Sequence, residues 1–416
     1  MTFSGFQVIK EALTGHKGWK PLWRNPAPKD AYDFVIVGGG GHGLATAYYL
    51  VKTYKKSKIA VLEKGWLGSG NIGRNTTIIR SNYLLPGNQP FYEFSLKLWE
   101  NQEQDLNFNS MVSQRSILNL FHSDGQRDAY RRRGNAMHFS GADGELLDRA
   151  QVRDRVPFLN FDNARFPIKG GLLQRRGGTA RHDGVAWGYA RAADQLGVDL
   201  IQNCEVTGFR IEHGTLKGVE TSRGYIGAGK VGVSVAGSSS RVMAMAGMRL
   251  PIESHVLQAF VSEGLKPTIP GVITFGAGHF YVSQSDKGGL VFGGDIDGYN
   301  SYAQRGNLPV VEDVVEGGMA IMPMIGRARL LRSWGGIMDM SMDGSPIIDK
   351  TGIDGLYFNG GWCYGGFKAV PAAGVCFAHL LATDTPHETA TEYRLDRFNR
   401  GYVIDEKGVG AQPNLH

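Results

Sequence analysis

The sequence predicts a mixed α/β (α+β) protein, in which a domain on a largely parallel sheet is combined with a second domain on an antiparallel sheet. Three features indicate this. The first is a strand, glycine turn, helix and strand near the N-terminus, the second is a strand-rich region over 251–340, and the third is another strand, glycine turn and helix near the C-terminus. Because the first and third features suit one buried sheet, the domains are expected to be discontinuous along the chain.

The N-terminal feature has the pattern of a Rossmann-like nucleotide-binding unit. An apolar strand at 34–37 is followed by glycines in the spacing G-x-G-x-x-G, namely Gly38, Gly40 and Gly43. These glycines permit a tight turn, backbone approach to a pyrophosphate, and close packing of helix on strand. After a helix pattern and a second apolar strand comes Glu63, where an acid can accept hydrogen bonds from a ribose. The pattern predicts an adenine dinucleotide site, with NAD and FAD both open; the alternative is a glycine-rich loop of another parallel α/β domain.

The segment 64–80 is expected to continue this site. It contains four glycines and several hydrogen-bond donors, which suits a loop wrapped around an anionic cofactor. A helix over 184–197 and a strand meander lead to a strand over 230–237, which would return beside the nucleotide. Near the C-terminus, a strand and a glycine-rich turn precede a helix over 370–381, and they would complete the same sheet.

Composition excludes several classes of function. The 416 residues suffice for two domains, and the formal net charge of +6 is scattered except at the basic run 131–133. We interpret that run as a solvated face or an anionic-ligand contact and predict no nucleic-acid binding. No apolar stretch reaches the ~18 residues of a membrane-spanning helix, so no membrane association is predicted.

The cysteines and histidines predict neither a disulfide framework nor a metal site. Cys204, Cys363 and Cys376 are sparse and odd in number, which favours a reducing, cytoplasmic compartment. No His/Cys/Asp spacing is typical of a metal centre, so no metal is predicted.

An N-terminal arm precedes the first strand. Its apolar residues Phe3, Phe6, Ile9 and Leu13 have helical spacing. The arm is expected either to pack on its own domain or to dock on a partner subunit, and the sequence leaves both open.

The motifs resemble the FAD-dependent amine oxidases of the glycine oxidase, D-amino-acid oxidase and sarcosine oxidase superfamily. The glycine turn, Glu63 and the segments 68–80, 231–237 and 360–368 carry this resemblance. More narrowly, the chain resembles the beta chains of heterotetrameric sarcosine oxidases nearly from end to end, through Asn75-Thr-Thr-Ile-Ile-Arg, Arg181-His-Asp and Ile404-Asp-Glu among other segments.

This resemblance implies two flavins. FAD would bind noncovalently in this chain, and FMN would be attached covalently to the histidine of a (Lys/Arg)-His-Asp segment, here His182, at the interface with the alpha subunit. NAD and tetrahydrofolate are expected on the partner alpha subunit, and gamma and delta subunits complete the expected heterotetramer. Judged from its own surroundings, His182 would be a surface or capping histidine.

The resemblance also divides the chain. We predict an N-terminal arm (1–30), an FAD-binding domain (31–90, 165–250 and 340–390), a substrate domain (91–164 and 251–339) and a C-terminal tail (391–416). The predicted cofactor-binding residues are Gly38, Gly40, Gly41, His42, Gly43, Glu63, Lys64, Asn71, Thr76, Ile78, His182, Val206, Gly361, Gly366 and Lys368.

Two cations are predicted to be catalytic. In monomeric relatives, the arginine of an Ile-Ile-Arg segment and the lysine of a Gly-Phe-Lys segment hold the substrate carboxylate, and these residues match Arg80 and Lys368. Arginine binds carboxylates bidentately and lysine adds a compact charge. The alternative is an ion-paired arginine and a phosphate-facing lysine.

Other polar residues are weaker candidates. His279 and Tyr281 lie on a predicted strand of the substrate domain, where they either line the amine pocket or are second-layer polar residues. Asp339 and Asp343 are near the flavin in sequence, and we interpret both as structural acids.

Two departures from monomeric relatives refine the expectation. The cysteine that would attach FAD is replaced by Gly336, so covalent FAD is not expected. The lysine that would activate oxygen corresponds roughly to Val291, with Lys287 in the adjacent turn. We therefore hypothesise that amine oxidation occurs at FAD and that oxygen reacts at FMN.

The implied function is oxidative demethylation of sarcosine to glycine, a one-carbon unit (formaldehyde or methylenetetrahydrofolate) and hydrogen peroxide. Two alternatives stay open: the homologous subunit of an N-methylglutamate dehydrogenase, and a non-catalytic flavin-bearing assembly subunit. A pocket cation able to meet a gamma-carboxylate would favour the first alternative.

Overall fold

A computed structural model describes residues 4–19, 21–162 and 165–406. The helices are α1 (Gly5–Leu13), α2 (Gly41–Lys52), α3 (Gln89–Leu106), α4 (Asp124–Phe139), α5 (Arg149–Arg155), α6 (His182–Gln195), α7 (Ser239–Ala244), α8 (Leu308–Ile321) and α9 (Val370–Thr383). The strands are β1 (Ala31–Val37), β2 (Ile59–Leu62), β3 (Ile78–Ile79), β4 (Ile117–Phe121), β5 (Glu145–Asp148), β6 (Gly170–Gln174), β7 (Gly178–Thr179), β8 (Asp199–Ile201), β9 (Val206–Glu212), β10 (Thr215–Thr221), β11 (Gly224–Val233), β12 (Ile252–Gly264), β13 (Val272–Phe275), β14 (Phe280–Gln284), β15 (Gly289–Ile296), β16 (Leu330–Ser341), β17 (Ile347–Lys350) and β18 (Leu356–Gly360).

The first sheet is built from both ends of the chain. Its order is β17-β18-β11-β1-β2-β8, and β10 and β9 continue antiparallel from β11. The strands β18, β11, β1, β2 and β8 run parallel. Helices α2, α6 and α9 pack on one face in a single core, so β1 and β2 are buried, as their continuous apolar runs require.

The register of these parallel strands brings three chain segments to one edge. Val37 is opposite both Leu62 and Val233, so β1, β2 and β11 end together. The glycine turn, Glu63 and Ser234 follow these three ends directly. In open α/β sheets, this carboxyl edge is where ligands bind.

The second sheet has the order β16-β12-β15-β14-β13-β4-β6-β5. Its described strand pairs are antiparallel except β13 and β4, which run parallel. The predicted fold class, a Rossmann-like domain joined to a largely antiparallel second domain, is thus confirmed. A separate apolar core lies under this sheet and α8.

The elements depart from the predicted segments in three places. Strand β6 pairs with β4 and β5 in the second sheet, although 165–250 was assigned to the FAD-binding domain. Helix α3 packs against α9 in the core of the first sheet, although 91–164 was assigned to the substrate domain. The predicted strand 230–237 ends at Val233, because a 3-10 turn at Ala236–Ser238 follows.

The N-terminal arm contains α1, capped by Ser4, whose hydroxyl accepts a hydrogen bond from the amide of Gln7. Phe6, Ile9 and Leu13 are exposed, so the apolar spacing of this helix does not serve packing on its own domain. Phe3 lies outside the described residues, as do residues 407–416 of the predicted C-terminal tail. No helix among the described residues is long and apolar enough to cross a membrane.

Candidate active site

A cavity of about 1010 Å³ lies between the two sheets, at the carboxyl edge of the first. This volume is at the upper end of the roughly 300–1,000 Å³ of small-molecule pockets. Its wall includes most of the predicted site residues: Gly38, Gly40, Gly41, His42, Glu63, Lys64, Asn71, Thr76, Ile78, Arg80, Val206, Gly366 and Lys368. Gly43, His182 and Gly361 are not in the wall.

The glycine turn has the backbone geometry that its sequence predicts. Gly38 has φ +109°, and a Cβ there would collide with the carbonyl oxygen of Ser234. A Cβ on Gly43 would collide with the carbonyl oxygen of Gly38, so Gly43 serves close packing and not ligand contact. Gly40 is different, because no heavy atom lies within 4 Å of its Cβ position. The space over Gly40, at the N-terminus of α2, is therefore open to an anionic group.

Glu63 lies in the cavity wall with its carboxylate fixed by backbone donors. Oε2 accepts a hydrogen bond from the amide of Gly39 at 2.9 Å, and Oε1 accepts one from Gly65 at 2.9 Å. Each carboxylate oxygen has a further lone pair, so Glu63 can still accept from a ligand hydroxyl. The turn and the following loop thus orient the acid.

Polar atoms in the wall test whether a dinucleotide fits. The hydroxyl of Ser234 is buried without a hydrogen-bond partner among the described residues, whereas the Asn359 side chain interacts with His42. Buried polar groups rarely stay unpaired in native proteins. With the open cradle at Gly40 and the oriented Glu63, this hydroxyl fits FAD, which would be held by the glycine turn, Glu63 and Ser234.

His42 connects the glycine turn to the C-terminal return loop. Its Nε2 donates a hydrogen bond to the carbonyl oxygen of Gly366 at 2.7 Å, and its ring packs edge-on against Trp362 at 4.6 Å. Burial lowers the pKa of His42 to about 4, so the imidazole is neutral at pH 7. A neutral ring adds no charge to this part of the cavity wall.

The loop 71–78 is divided between the cavity and the second sheet. The side chain of Asn71 is held by the backbone of Ile337 on β16: Oδ1 accepts from the amide at 3.0 Å, and Nδ2 donates to the carbonyl. Asn71 therefore joins the loop to the second domain. Thr76 and Ile78 also line the cavity.

Arg80 and Lys368 meet at the same end of the cavity. Arg80 lies over the ring of Tyr83 at 4.7 Å, and that ring stacks on Tyr92 at 3.8 Å. Lys368 is 6% exposed, and its Nζ donates to the carbonyl oxygen of Tyr364 at 2.6 Å. Burial, together with the charge of Arg80, holds the pKa of Lys368 well below its usual range.

Neither cation has a salt-bridge partner in the described part of the chain. The predicted alternative of an ion-paired Arg80 therefore has no acidic partner there. Two adjacent cations without a carboxylate form a site for an anion.

His182 lies outside the cavity, at the first position of α6. Its Nε2 donates to the carbonyl oxygen of Gly73 at 3.1 Å, and its Nδ1 is buried without a described partner. Burial lowers its pKa, which keeps Nδ1 available as a nucleophile. The short segment Asn71–Arg74 separates His182 from the cavity, because Asn71 and Arg74 line the cavity while Gly73 contacts the histidine. An unpaired ring nitrogen beside the first site fits the attachment of a second flavin.

Tyr281 and His279 both line the cavity. Burial raises the pKa of Tyr281 to about 12, and its interaction with the Thr76 side chain opposes this rise. The Nδ1 atom of His279 contacts Asp313 at 3.0 Å and Asp295 at 3.7 Å. These three side chains place potential metal ligands within 4.8 Å of one another, but the hydrogen bond between His279 and Asp313 accounts for this contact.

The two acids near the flavin loop have structural partners. The carboxylate of Asp339 accepts from the amides of Gly361 at 2.6 Å and Trp362 at 3.1 Å, and burial raises its pKa to about 6. Asp343 forms a buried ion pair with Arg397 at 2.9 Å. Gly361, with φ +72°, therefore shapes the return turn and does not line the cavity.

The positions at which this sequence departs from monomeric relatives differ in whether they line the cavity. Gly336 lines the cavity, whereas Val291 and Lys287 do not. Cys363 and Cys204 do line it, although no cysteine is close to Gly336 in sequence. The Cys363 thiol contacts the amide of Ser341 at 3.3 Å.

Several wall residues were not predicted from the sequence. Glu406, from the C-terminal tail, is one. Arg133 also lines the wall; it belongs to the basic run for which the sequence left a solvated face and an anionic-ligand contact open. The tail reaches the cavity because Ile404 is anchored to Asp343 and Ser345. Other unpredicted polar wall residues include Asn88, Asn119, Thr274, Asp295 and Tyr364. Most of them come from α3, α4 and the second sheet, where no local motif signals their proximity.

Comparison with known proteins identifies the family. A family model described as "FAD dependent oxidoreductase" matches residues 33–380. The chain is 72% identical over 416 residues to the sarcosine oxidase subunit beta of Rhizobium meliloti (strain 1021), with 100% of both chains covered. It is 50% identical to the sarcosine oxidase subunit beta of Arthrobacter sp., covering 94% of this chain and 96% of that one.

A solved structure shares the architecture. L-proline dehydrogenase from P. horikoshii superposes with a TM-score of 0.84 at 26% identity, covering 91% of this chain and all of that one. The two-sheet architecture of this chain is therefore shared with that L-proline dehydrogenase.

Proposed function

The chain belongs to the FAD-dependent oxidoreductase family, in the group of the sarcosine oxidase beta subunits, and from this premise we propose that it demethylates sarcosine oxidatively to glycine. The observation that carries the proposal is the pair Arg80 and Lys368, two cations without a described acidic partner, in one cavity with the glycine turn. A small amino acid has one strong binding handle, its carboxylate, and this pair suits it.

The cofactors follow from the two fitting sites. FAD would be held noncovalently by the glycine turn, Glu63 and Ser234, and FMN would be linked to His182. When bound, FAD supplies a hydride acceptor for the N-methyl carbon, and FMN supplies the site at which the electron pair reaches oxygen and gives hydrogen peroxide.

The residues of this chain bind and orient. Arg80 and Lys368 hold the substrate carboxylate. Because the carboxylate is held, the substrate is oriented and its N-methyl group has a defined position. The guanidinium of Arg80 packs over the ring of Tyr83, which in turn stacks on Tyr92. Loss of a hydride from the N-methyl carbon leaves an imine, and water cleaves it to glycine and formaldehyde; transfer of the one-carbon unit to tetrahydrofolate would occur on the alpha subunit.

We propose that the functional unit is a cytoplasmic heterotetramer with alpha, gamma and delta subunits, and that NAD and tetrahydrofolate bind to the alpha subunit. The exposed apolar side chains of α1 support the docking alternative for the N-terminal arm. Phe6 is 88% exposed and Leu13 is 83% exposed.

A substrate and variant comparison tests the activity. The chain is co-expressed with its partner subunits, and peroxide formation is measured with sarcosine and with N-methylglutamate. We expect sarcosine to react, and Arg80→Lys to lower kcat/KM by roughly 10- to 100-fold, since a charged hydrogen bond contributes about 1.5–3 kcal/mol. Arg131→Lys, an exposed cation outside the cavity wall, is the matched control. No turnover of sarcosine by the assembled wild type would contradict the proposal.

One observation favours a second candidate substrate. Arg133 is a further cation in the cavity wall, and its positive charge acts on Tyr83, the ring beneath Arg80. It could meet the gamma-carboxylate of N-methylglutamate. In that case Arg133→Gln would lower kcat/KM for N-methylglutamate and leave that for sarcosine unchanged, while Arg131→Gln would change neither.

A further inference from the structure

The guanidinium of Arg80 is oriented by a chain of neutral side chains that leads into the second sheet. Its Nη1 donates to Oδ1 of Asn82 at 2.5 Å, and Nδ2 of Asn82 donates to Oδ1 of Asn119 at 2.6 Å. Nδ2 of Asn119 then donates to the hydroxyl of Thr274 at 2.6 Å. We refer to Asn82, Asn119 and Thr274 as the amide chain.

The direction of these hydrogen bonds is fixed at Arg80. A guanidinium has only donors, so Asn82 must present its oxygen to Arg80 and its amino group to Asn119. The same reasoning passes from Asn119 to Thr274. Asn82 is completely buried and is not in the cavity wall, so it contacts Arg80 from behind and cannot touch a ligand itself.

The amide chain carries no charge, so it does not neutralise Arg80. The carboxylate of Glu93 accepts a hydrogen bond from Ser81 at 2.7 Å and is ion-paired with Arg176 at 2.6 Å, so its charge is compensated by Arg176 and not by Arg80. An aspartate at position 82 could orient Arg80 equally well but would neutralise its charge. An asparagine orients the guanidinium and leaves its charge for a ligand.

We propose that Asn82 is a positioning residue for Arg80, and that the amide chain orients the guanidinium from β4 and β13 without neutralising it. This inference rests on the proposed function of Arg80 as the carboxylate-binding residue. It links substrate binding to the packing of the two domains, because Asn119 and Thr274 lie on the second sheet.

The decisive variant is Asn82→Asp, which preserves shape and changes only charge. The amide chain can accommodate an aspartate at position 82, because Asn119 can reverse its amide and the Thr274 hydroxyl can donate as well as accept. The probes are acetate, a carboxylate without an amine, and dimethylamine, an amine without a carboxylate. Binding to the FAD-containing complex is measured from the change in flavin absorbance.

We expect Asn82→Asp to weaken acetate binding at least tenfold, and Asn82→Ala to weaken it about threefold through loss of orientation. Dimethylamine binding should stay within twofold of wild type in both variants. Gln102→Glu is the control, since it places the same charge at a buried amide that contacts Ser110 outside the cavity; it should leave acetate binding unchanged.

Equal acetate affinity in wild type and Asn82→Asp would overturn the inference, and equal losses in the Asp and Ala variants would overturn the charge argument. If Asn82→Asp does not fold, Thr274→Val tests the amide chain at the residue farthest from Arg80. It should weaken acetate binding two- to fivefold, and wild-type affinity there would contradict the proposed orientation. Absence of any acetate response in the wild type would instead count against the proposed function of Arg80.

Discussion

The Nε2 atom of His42 lies 2.7 Å from the carbonyl oxygen of Gly366, so the first turn of α2 is tied to the loop that carries Lys368. The predicted pyrophosphate end of the site and its predicted substrate end are thus connected through one neutral imidazole. This contact crosses 324 positions of sequence and fixes the return loop against the glycine turn.

Replacing His42 tests the connection. His42→Ala removes the hydrogen bond to Gly366 and the packing on Trp362, and we expect FAD affinity to fall about tenfold, since such a hydrogen bond contributes about 0.5–1.5 kcal/mol and the lost packing adds to it. Equilibrium dialysis of FAD measures the effect. His379→Ala, which removes a similar contact to Tyr54 outside the cavity, should leave FAD affinity unchanged; equal affinities in both variants would refute the connection.

The lowered pKa of Lys368 predicts a pH dependence of substrate binding. The protonated lysine attracts a carboxylate, so acetate or sarcosine should bind more weakly as pH rises through that lowered pKa. In Lys368→Met, this dependence should disappear and kcat/KM should fall by roughly 100-fold or more, as for loss of about 3 kcal/mol from a charged hydrogen bond. Dissociation constants measured from pH 6 to 10 check the profile, and an unchanged pH profile in the methionine variant would assign the titration to another group.

His182 is expected to carry the covalent flavin. His182→Ala should yield a complex that loses all yellow colour from this chain after denaturation, while noncovalent FAD in the native protein stays at wild-type levels. We also expect turnover with oxygen to fall, because oxygen is proposed to react at FMN. Absorbance of the denatured, washed chain is the measurement. A flavin that stays bound to the denatured variant would contradict attachment at His182. Unchanged turnover with oxygen would contradict the reaction of oxygen at FMN.

Asp343 and Arg397 form a buried ion pair, with side chains 1% and 2% exposed. Arg397→Met leaves the carboxylate without its partner, and we expect a loss of about 3–5 kcal/mol in the free energy of unfolding. Urea denaturation measures it. Arg394→Met, which breaks the exposed pair with Asp396, should cost no more than about 1 kcal/mol, and similar costs for the two variants would be inconsistent with this account.

The buried His122 is expected to lower the free energy of unfolding in acid. Its ring packs against Phe275 at 4.3 Å, and burial lowers its pKa from 6.5 to about 4. The unfolded chain therefore takes up a proton first as pH falls, and stability is lost between about pH 6.5 and 4, by as much as about 3 kcal/mol. His122→Phe should flatten this fall, measured as the difference in unfolding free energy between pH 7 and pH 5. An equally steep fall in the phenylalanine variant would exclude His122 as its source.

The sequence predicted the parts of the site that depend on local geometry. The turn at Gly38 needs a positive φ and the packing at Gly43 needs the absence of a Cβ, and both requirements are visible in the residue spacing. Glu63 follows a strand of fixed length, so its place at the sheet edge is also local. Gly361 shows the limit of such reasoning, since a turn glycine and a ligand-contacting glycine have the same sequence signature.

Contacts between distant segments could not be predicted in this way. The assignment of β6 to the second sheet depends on its pairing with β4 and β5. Nothing in the sequence of an apolar strand specifies which sheet it joins. Likewise, Asn82 and Asn119 are ordinary polar residues until the fold links them by hydrogen bonds to Arg80.

The sequence by itself therefore determined the fold class, the family and the adenine dinucleotide turn, because each depends on short-range backbone constraints or on long runs of matching residues. Only the tertiary structure decided that Arg80 and Lys368 share one cavity without a described salt-bridge partner, that His42 links its two ends, and that His182 lies across a single short segment from it. Those relationships arise from the packing of two sheets, in which residues far apart in the chain become neighbours and set one another's charge and orientation.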